Sequence, residues 1–181
     1  SFALQLVDSA FASVDAGDGS SAAERNITSD AIDVGRFVPD HFAVSLNTPV
    51  FGTACGTFTY IGQAFNYTSA PVITVTAQDF ANNTTTLYAT SGSWWRITNT
   101  SLTGKAYSAA AGTLDTSGLP GTDPVIVATG AGVGALTFGS GTGLFFTRTT
   151  PTAPAAPYDA DASVAINVID ADGVVYAGNP A

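Results

Sequence analysis

The stretch Val72-Ile73-Thr74-Val75-Thr76-Ala77 decides the fold class of this chain. In an extended strand successive side chains point to opposite faces, so Ile73, Val75 and Ala77 lie on one face and the two threonines on the other. One apolar and one polar face are typical of a strand in a sheet that is packed on one side and solvated on the other. The stretch therefore predicts antiparallel sheets rather than alternating strands and helices.

Short runs of similar character recur along the chain, and turn residues separate them. Strands are predicted at 42–46, 58–60, 84–88, 94–97, 125–127, 136–138, 144–147 and 164–169. The one stretch that tolerates a helix, 106–112, is too short to stand alone. We therefore predict an all-β chain, an antiparallel immunoglobulin-like β-sandwich with little or no helix. Residues 1–40 are interpreted as the C-terminal strands of a preceding β module with a junction, and residues 41–181 as the sandwich.

The charge balance excludes several classes of partner. The 181 residues carry 5 Lys+Arg against 14 Asp+Glu, a formal net charge of -9, so the chain lacks the cations that bind nucleic acid or an anionic membrane. Low charge (10%) with 45% hydrophobic residues is typical of an exported, solvent-facing β protein, and we predict an extracellular or bacterial cell-surface location. The uncharged run between Asp123 and Arg148 is long enough to cross a membrane. Its glycines and short apolar blocks favour strands instead, so no membrane span is predicted.

Residues that support catalysis are scarce. His41 is the sole histidine, so a multi-histidine metal site is excluded, and a Ser–His–Asp triad would have to use it without the usual Gly-x-Ser-x-Gly elbow. We predict that the chain is not an enzyme; a hydrolase with His41 as its base is the third hypothesis. The glycine-rich stretch 130–134 lacks the Lys-Ser/Thr of a phosphate loop and is interpreted as a hairpin or bulge. Cys55 is interpreted as a buried small hydrophobe or as half of a bridge to a segment outside this sequence.

Clustered aspartates are the strongest chemical signal. Asp159, Asp161, Asp170 and Asp172 lie near predicted strand ends. Asp15 and Asp18, the latter followed by Gly19, lie near the start of the chain. Calcium takes about six to eight oxygen ligands, largely from carboxylates and carbonyls, and such pairs offer them. Asp-Gly is also an ordinary hairpin turn. A calcium site and plain turns both remain open; no other cofactor is predicted.

Two adjacent indoles suggest an alternative function. Because successive side chains of a strand face opposite sides, one of Trp94 and Trp95 is expected in the core and the other exposed or at an interface. An exposed indole stacks well on a sugar ring. A carbohydrate-binding module that uses an exposed tryptophan is therefore the alternative function, and ordinary interface packing is the competing interpretation of the same pair.

The stretch Val34-Gly35-Arg36-Phe37-Val38-Pro39-Asp40-His41-Phe42 carries a resemblance to a known family. It resembles a domain of the MshQ-type proteins. Five further stretches continue the resemblance: 54–55, 58–65, 76–79, 84–88 and 170–174. These proteins are associated with biogenesis of the mannose-sensitive haemagglutinin pilus, a type IV pilus. From the residues alone, Pro39 fixes a turn into the strand that Phe42 begins, and Arg36 is placed to pair with Asp33 or Asp40.

The resemblance implies a large exported protein of several modules, and it brings no catalytic residue with it. On that basis the chain is expected to be a non-enzymatic structural or adhesive module of an exported bacterial surface protein or of a type IV pilus-associated protein. The implied partners are other pilus or surface subunits. A homo-oligomer and a glycan ligand are the further partners that the sequence leaves open.

Overall fold

The structure, a computed structural model, describes residues 2–10, 17, 19–35, 37–148 and 156–176. The chain divides into two units, Ser1–Phe37 and Val38–Ala181. The boundary between the units falls inside the stretch 34–42 that carries the family resemblance. Antiparallel pairing dominates both units, and the prediction of an all-β chain with little helix is confirmed.

The first unit consists of two short antiparallel ribbons and one helical turn. Its elements are β1 (Phe2–Leu4), β2 (Val7–Asp8), α1 (Ala22–Arg25), β3 (Ile27–Thr28) and β4 (Ile32–Val34). Strand β1 pairs with β4, and β2 pairs with β3. The helical turn begins with a capping box, in which the side chains of Ser21 and Glu24 each accept a hydrogen bond from the backbone N–H of the other.

The ribbon formed by β1 and β4 exposes an apolar face. Its register sets Phe2 opposite Val34 and Leu4 opposite Ile32, so these four side chains share one side. Phe37 stacks on Phe2 with ring centroids 6.2 Å apart. All of them except Val34 are exposed. Two-stranded ribbons this short are marginal in water unless another surface packs on them.

The second unit contains the remaining strands of the described residues. They are β5 (His41–Leu46), β6 (Val50–Phe51), β7 (Tyr67–Ser69), β8 (Val72–Gln78), β9 (Thr103–Ala109), β10 (Thr113–Asp115), β11 (Val125–Gly130), β12 (Val133–Thr137), β13 (Phe145–Thr147) and β14 (Ala162–Asn167), with a 3-10 turn at Ser91–Ser93. Four of them form one antiparallel sheet in the order β11-β12-β8-β5. Strand β8 is therefore internal to the sheet, between β12 and β5.

The main core lies on one face of this sheet. Ile73, Val75 and Ala77 are buried there, whereas Thr74 and Thr76 lie on the other face and are half-buried. The predicted alternation of β8 is thus confirmed. Strand β14, which pairs with β9, contributes residues that pack against the same core. A second cluster, formed by Phe65, Leu144 and Phe146, lies near the strand pairs β10–β13 and β6–β7. Strands packed around apolar cores in this way are consistent with a β-sandwich; an immunoglobulin-like strand order stays a prediction.

Several local predictions were wrong. Residues 58–60 and 84–88 contain single bridges and turns instead of strands, and residues 94–97 form no regular element. Strand β9 at 103–109, which overlaps the helix-tolerant stretch 106–112, was not predicted. The glycine-rich hairpin is confirmed: Gly130, Ala131 and Gly132 all have positive φ and connect β11 to β12. None of the helices in the described part of the chain is long and apolar enough to cross a membrane.

Candidate functional site

The two tryptophans divide as expected between core and surface, although they follow a 3-10 turn instead of occupying a strand. Trp94 is 39% exposed, and its indole lies over Gly92, where an added Cβ would be 2.5 Å from Nε1. Trp95 packs against the core: its ring lies 5.3 Å from that of Tyr88, and its Nε1 donates to the Ile97 carbonyl at 3.1 Å. Trp94 is therefore the more exposed of the two indoles.

A cleft of about 390 Å³ lies beside Trp95. Its wall is formed by Thr90, Trp95, Ile97, Thr98, Asn99, Thr122, Val125, Ile126 and Ala128. The lining carries no charged side chain, and the side-chain amide of Asn99 is already engaged as a donor to the carbonyl of Thr122 at 3.2 Å. The cleft is thus neutral, and three of its residues belong to strand β11.

Asp170 is the centre of a buried hydrogen-bond network. Its Oδ1 accepts from the backbone N–H groups of Asp172 and Val174, both at 2.9 Å, and its Oδ2 accepts from the hydroxyl of Tyr88 at 2.8 Å. That hydroxyl in turn accepts from the backbone N–H of Arg96 at 3.2 Å. Burial, followed by the bond to the Asp170 carboxylate, raises the pKa of Tyr88 well above its usual value, so the phenol stays protonated. The network ties the turn at 170–174 to the segment 88–96.

The four aspartates predicted as calcium ligands do not converge. Asp159 and Asp161 are exposed just before β14, whereas Asp170 and Asp172 follow its far end. Six strand residues span about 20 Å, which is too far for one ion to bridge the pairs. Within the described ranges, no three acidic, histidine or cysteine side chains are close enough to hold a metal ion. Asp15 and Asp18 lie outside the described residues.

His41 lies at the start of β5, next to the boundary between the units. Its Nδ1 is 2.9 Å from Oδ2 of Asp40, and its Nε2 is 3.1 Å from Oε1 of Gln78 on β8. The hydrogen bond with Asp40 is the main cause that raises the pKa of His41 above its usual value. The Nε2 atom therefore joins the start of β5 to β8, whereas Nδ1 bonds to the neighbouring Asp40.

The phenols of Tyr67 and Tyr107 lie near the buried carboxylate of Asp123, a group that the sequence does not predict. Asp123 is 6% exposed; its Oδ2 accepts from the backbone N–H of Gly139, and its carbonyl accepts from Nζ of Lys105. Burial and the negative charge of Asp123 raise the pKa of Tyr67. Burial and neighbouring charges raise the pKa of Tyr107 to about 12. Within the described residues, the buried hydroxyl of Tyr107 has no hydrogen-bond partner. Residues far apart in sequence meet here, so no local pattern predicts the group.

Cys55 is half-buried in a tight turn, where its backbone N–H and C=O both bond with Phe58. Its sulfur is 3.6 Å from Oε1 of Gln63. The side chain thus lies beside a polar amide and outside both apolar clusters, and the two interpretations made from sequence stay predictions.

Comparisons with known proteins identify the family. A search of the curated proteins and a search of the solved structures each found no match. A family model described as DUF6701, third domain, matches residues 9–181. Since that match takes in the whole of the second unit and most of the first, the chain belongs to the DUF6701 family, in which it is the third domain.

Proposed function

We propose that this chain is a non-enzymatic structural and adhesive module of an exported bacterial surface protein or of a type IV pilus-associated protein. The observation that carries the proposal is the structural use of the stretch 34–42. Val34 ends strand β4 of the first unit, and Phe42, fully buried, begins the core of the second. Pro39 is buried, and the backbone N–H of Asp40 donates to the Gln78 carbonyl at 2.8 Å. The stretch that resembles the MshQ-type proteins thus joins two β units along the chain.

The composition of the surface supports the same proposal. The chain carries a net charge of -9 with few charged residues in total, which suits a solvent-facing module that does not bind nucleic acid or anionic lipid. Antiparallel ladders make such a module stiff, and its strand edges and loops are the parts that contact neighbouring subunits. The description of the family model as a third domain fits a protein built from several modules in series.

Shearing of the native producer's cells tests this proposal. An antibody to the chain is used to follow it through sheared filaments, envelope and cytosol, with a cytosolic enzyme as the marker for lysis. Recovery with the filaments would make the chain a pilus component, and recovery with the envelope would make it an assembly or anchoring factor. Recovery with the cytosolic marker would overturn the proposal.

A carbohydrate-binding module is the second candidate, favoured by the exposure of Trp94. Its ring lies at the surface over Gly92, and flat, exposed indoles are suitable platforms for pyranose rings. Retention on insoluble polysaccharides is the test, with Trp94→Ala as the variant. Phe80→Ala is the matched control because Phe80 is another exposed aromatic residue on a different loop. Selective loss of retention in Trp94→Ala supports the candidate, and equal retention in both variants removes it.

A further inference from the structure

One edge of the four-stranded sheet has no paired strand in the part of the chain that the structure describes. Strand β11 is terminal in the sheet, and only β12 pairs with it. The opposite edge is partly covered, because the N–H of Phe42 in β5 donates to the carbonyl of Val175 at 3.1 Å. Soluble proteins usually protect an edge strand with lysine, proline or a covering segment. The sequence of β11, Val125–Gly130, contains neither residue type.

The hydrogen-bond pattern identifies the backbone groups that face this edge. The carbonyl of Gly132, the residue before β12, accepts a hydrogen bond from β8. Backbone groups alternate in direction along a strand, so every second residue after Gly132 also directs its N–H and C=O groups towards β8. Ala135 therefore directs its backbone towards β11, where it lies opposite Val127. The N–H and C=O groups of Ile126 and Ala128 point the other way, towards the open edge.

The neutral cleft lies directly beside these groups. Ile126 and Ala128 contribute to its wall, and Trp95 and Ile97 form part of the opposite side. Trp95 lies against Gly134, the residue that pairs with Ala128, so the cleft is on the core-facing side of the sheet. An added strand would place every second side chain on this side. The cleft therefore offers space for an apolar side chain from a strand that extends the sheet.

The charge distribution favours a second copy of this chain as that strand. With a net charge of -9, two copies repel each other, and the repulsion is weakest where the contacting surfaces carry no charge and salt screens the charges farther away. Residues 124–147, which include β11, contain no charged side chain. On the outer face of β11, Val125 is 50% and Val127 49% exposed. A strand of this kind can pair with itself without bringing like charges together.

We propose that β11 pairs with β11 of a second copy, antiparallel, about a two-fold axis that passes beside Val127, so that the two sheets form one of eight strands. In this register Ile126 of each copy lies opposite Ala128 of the other and exchanges both backbone hydrogen bonds with it. Val127 faces Val127 in a non-hydrogen-bonded pair, in which side chains are closest. The side chain of Ile126 from the second copy enters the cleft. This pairing rests on the sheet alone and does not depend on the proposed surface role.

Sedimentation equilibrium of the full 181-residue chain tests the proposal. The wild-type mass is expected to rise from 18.2 kDa towards twice that value as the concentration is raised to about 1 mM, because an interface of one strand edge is small and weak. Val127→Lys sets two like charges opposite each other and is expected to weaken the dimer roughly tenfold or more. Ser45→Lys, at an exposed position on the opposite edge strand, is the matched control and leaves the dimer unchanged. A constant monomer mass, or equal association of Val127→Lys and wild type, overturns the proposal.

Disulfide trapping tests the register itself. In a Cys55→Ser background, Val127→Cys is expected to form a covalent dimer under mild oxidation. The Cα atoms of a non-hydrogen-bonded antiparallel pair lie about 4.5 Å apart, within the range of a disulfide. Ser45→Cys in the same background is the control for random collision. If Val127→Cys cross-links no faster than Ser45→Cys, the pairing of two β11 strands is rejected. A β11 edge that binds a strand from another protein would give this same result.

Discussion

Asp170 shows how a residue chosen from sequence as a metal ligand serves a different purpose in the fold. The side chain is 3% exposed, and both of its oxygens accept hydrogen bonds from protein donors. A buried carboxylate with such donors closes a turn and anchors a phenol without a cation. The Asp-Gly pair that follows it forms the tight turn, with Gly173 at a φ of 84°. Of the two interpretations left open by the sequence, plain turns describe this pair of aspartates.

Truncation of Asp170 is expected to be costly. Asp170→Ala leaves the hydroxyl of Tyr88, the buried N–H of Val174 and the part-buried N–H of Asp172 without their acceptor. We expect a loss of about 2–4 kcal/mol in the free energy of unfolding. Asp159→Ala, at an exposed position, is expected to change it by no more than about 0.5 kcal/mol. Urea denaturation of both variants gives the comparison. Equal stability of the two would show that the network contributes little.

The single histidine allows a direct titration. Because Asp40 bonds to its ring, the pKa of His41 is expected to lie above the usual value, about 6.5. A raised histidine pKa means that its contribution to stability is complete below the unfolded-state pKa and is lost as the pH rises through the folded-state pKa. Proton NMR of His41 measures this pKa, and Asp40→Asn is expected to lower it. An unchanged value in Asp40→Asn, as in the distant control Asp115→Asn, would contradict the assignment of the cause.

At the scale of elements, strand β12 depends on a close approach of an indole to its backbone. A Cβ added at Gly134 would overlap Cη2 of Trp95, so the ring is packed directly on the strand. Gly134→Ala is expected to lower the free energy of unfolding by about 1–3 kcal/mol, because the added methyl group displaces the indole from its packing on the strand and on Tyr88. Gly121→Ala, where an added Cβ meets nothing within 4 Å, is the control. Denaturation followed by tryptophan fluorescence measures both, and equal midpoints would contradict the packing argument.

The elements that sequence predicts well are those whose own side chains alternate. Strand β8 alternates over its full length, and burial follows the pattern. Strand β9 escapes prediction because its small and polar residues, Thr103–Ala109, show no apolar alternation; its pairing with distant β14 determines its structure. The stretch 84–88 contains strand-forming residues, yet it makes one bridge, at Thr84, before Tyr88 enters the core and bonds to Asp170. The open edge of β11 likewise becomes visible only when the order of strands is known.

At the scale of the whole molecule, the two units differ in how much they bury. The buried apolar residues of the described chain all lie in the second unit, from Phe42 to Val174. In the first unit no described residue is fully buried, and its strands are two or three residues long. Burial of apolar side chains is the main favourable contribution to folding. The second unit therefore has its own source of stability, whereas the short ribbons of the first do not.

Removal of residues 1–37 tests this difference. The shortened chain, 38–181, retains both apolar clusters, so its melting temperature is expected to stay within about 4 °C of that of the full chain. In hydrogen exchange on the full chain, amides of β8 and β12 are expected to be strongly protected, and those of β1 to β4 to exchange rapidly. A shortened chain that does not fold, or equal protection in both units, would show that the first unit contributes to the stability of the sandwich. Calorimetry and exchange together distinguish these outcomes, because one measures the stability of the second unit and the other locates where the full chain opens first.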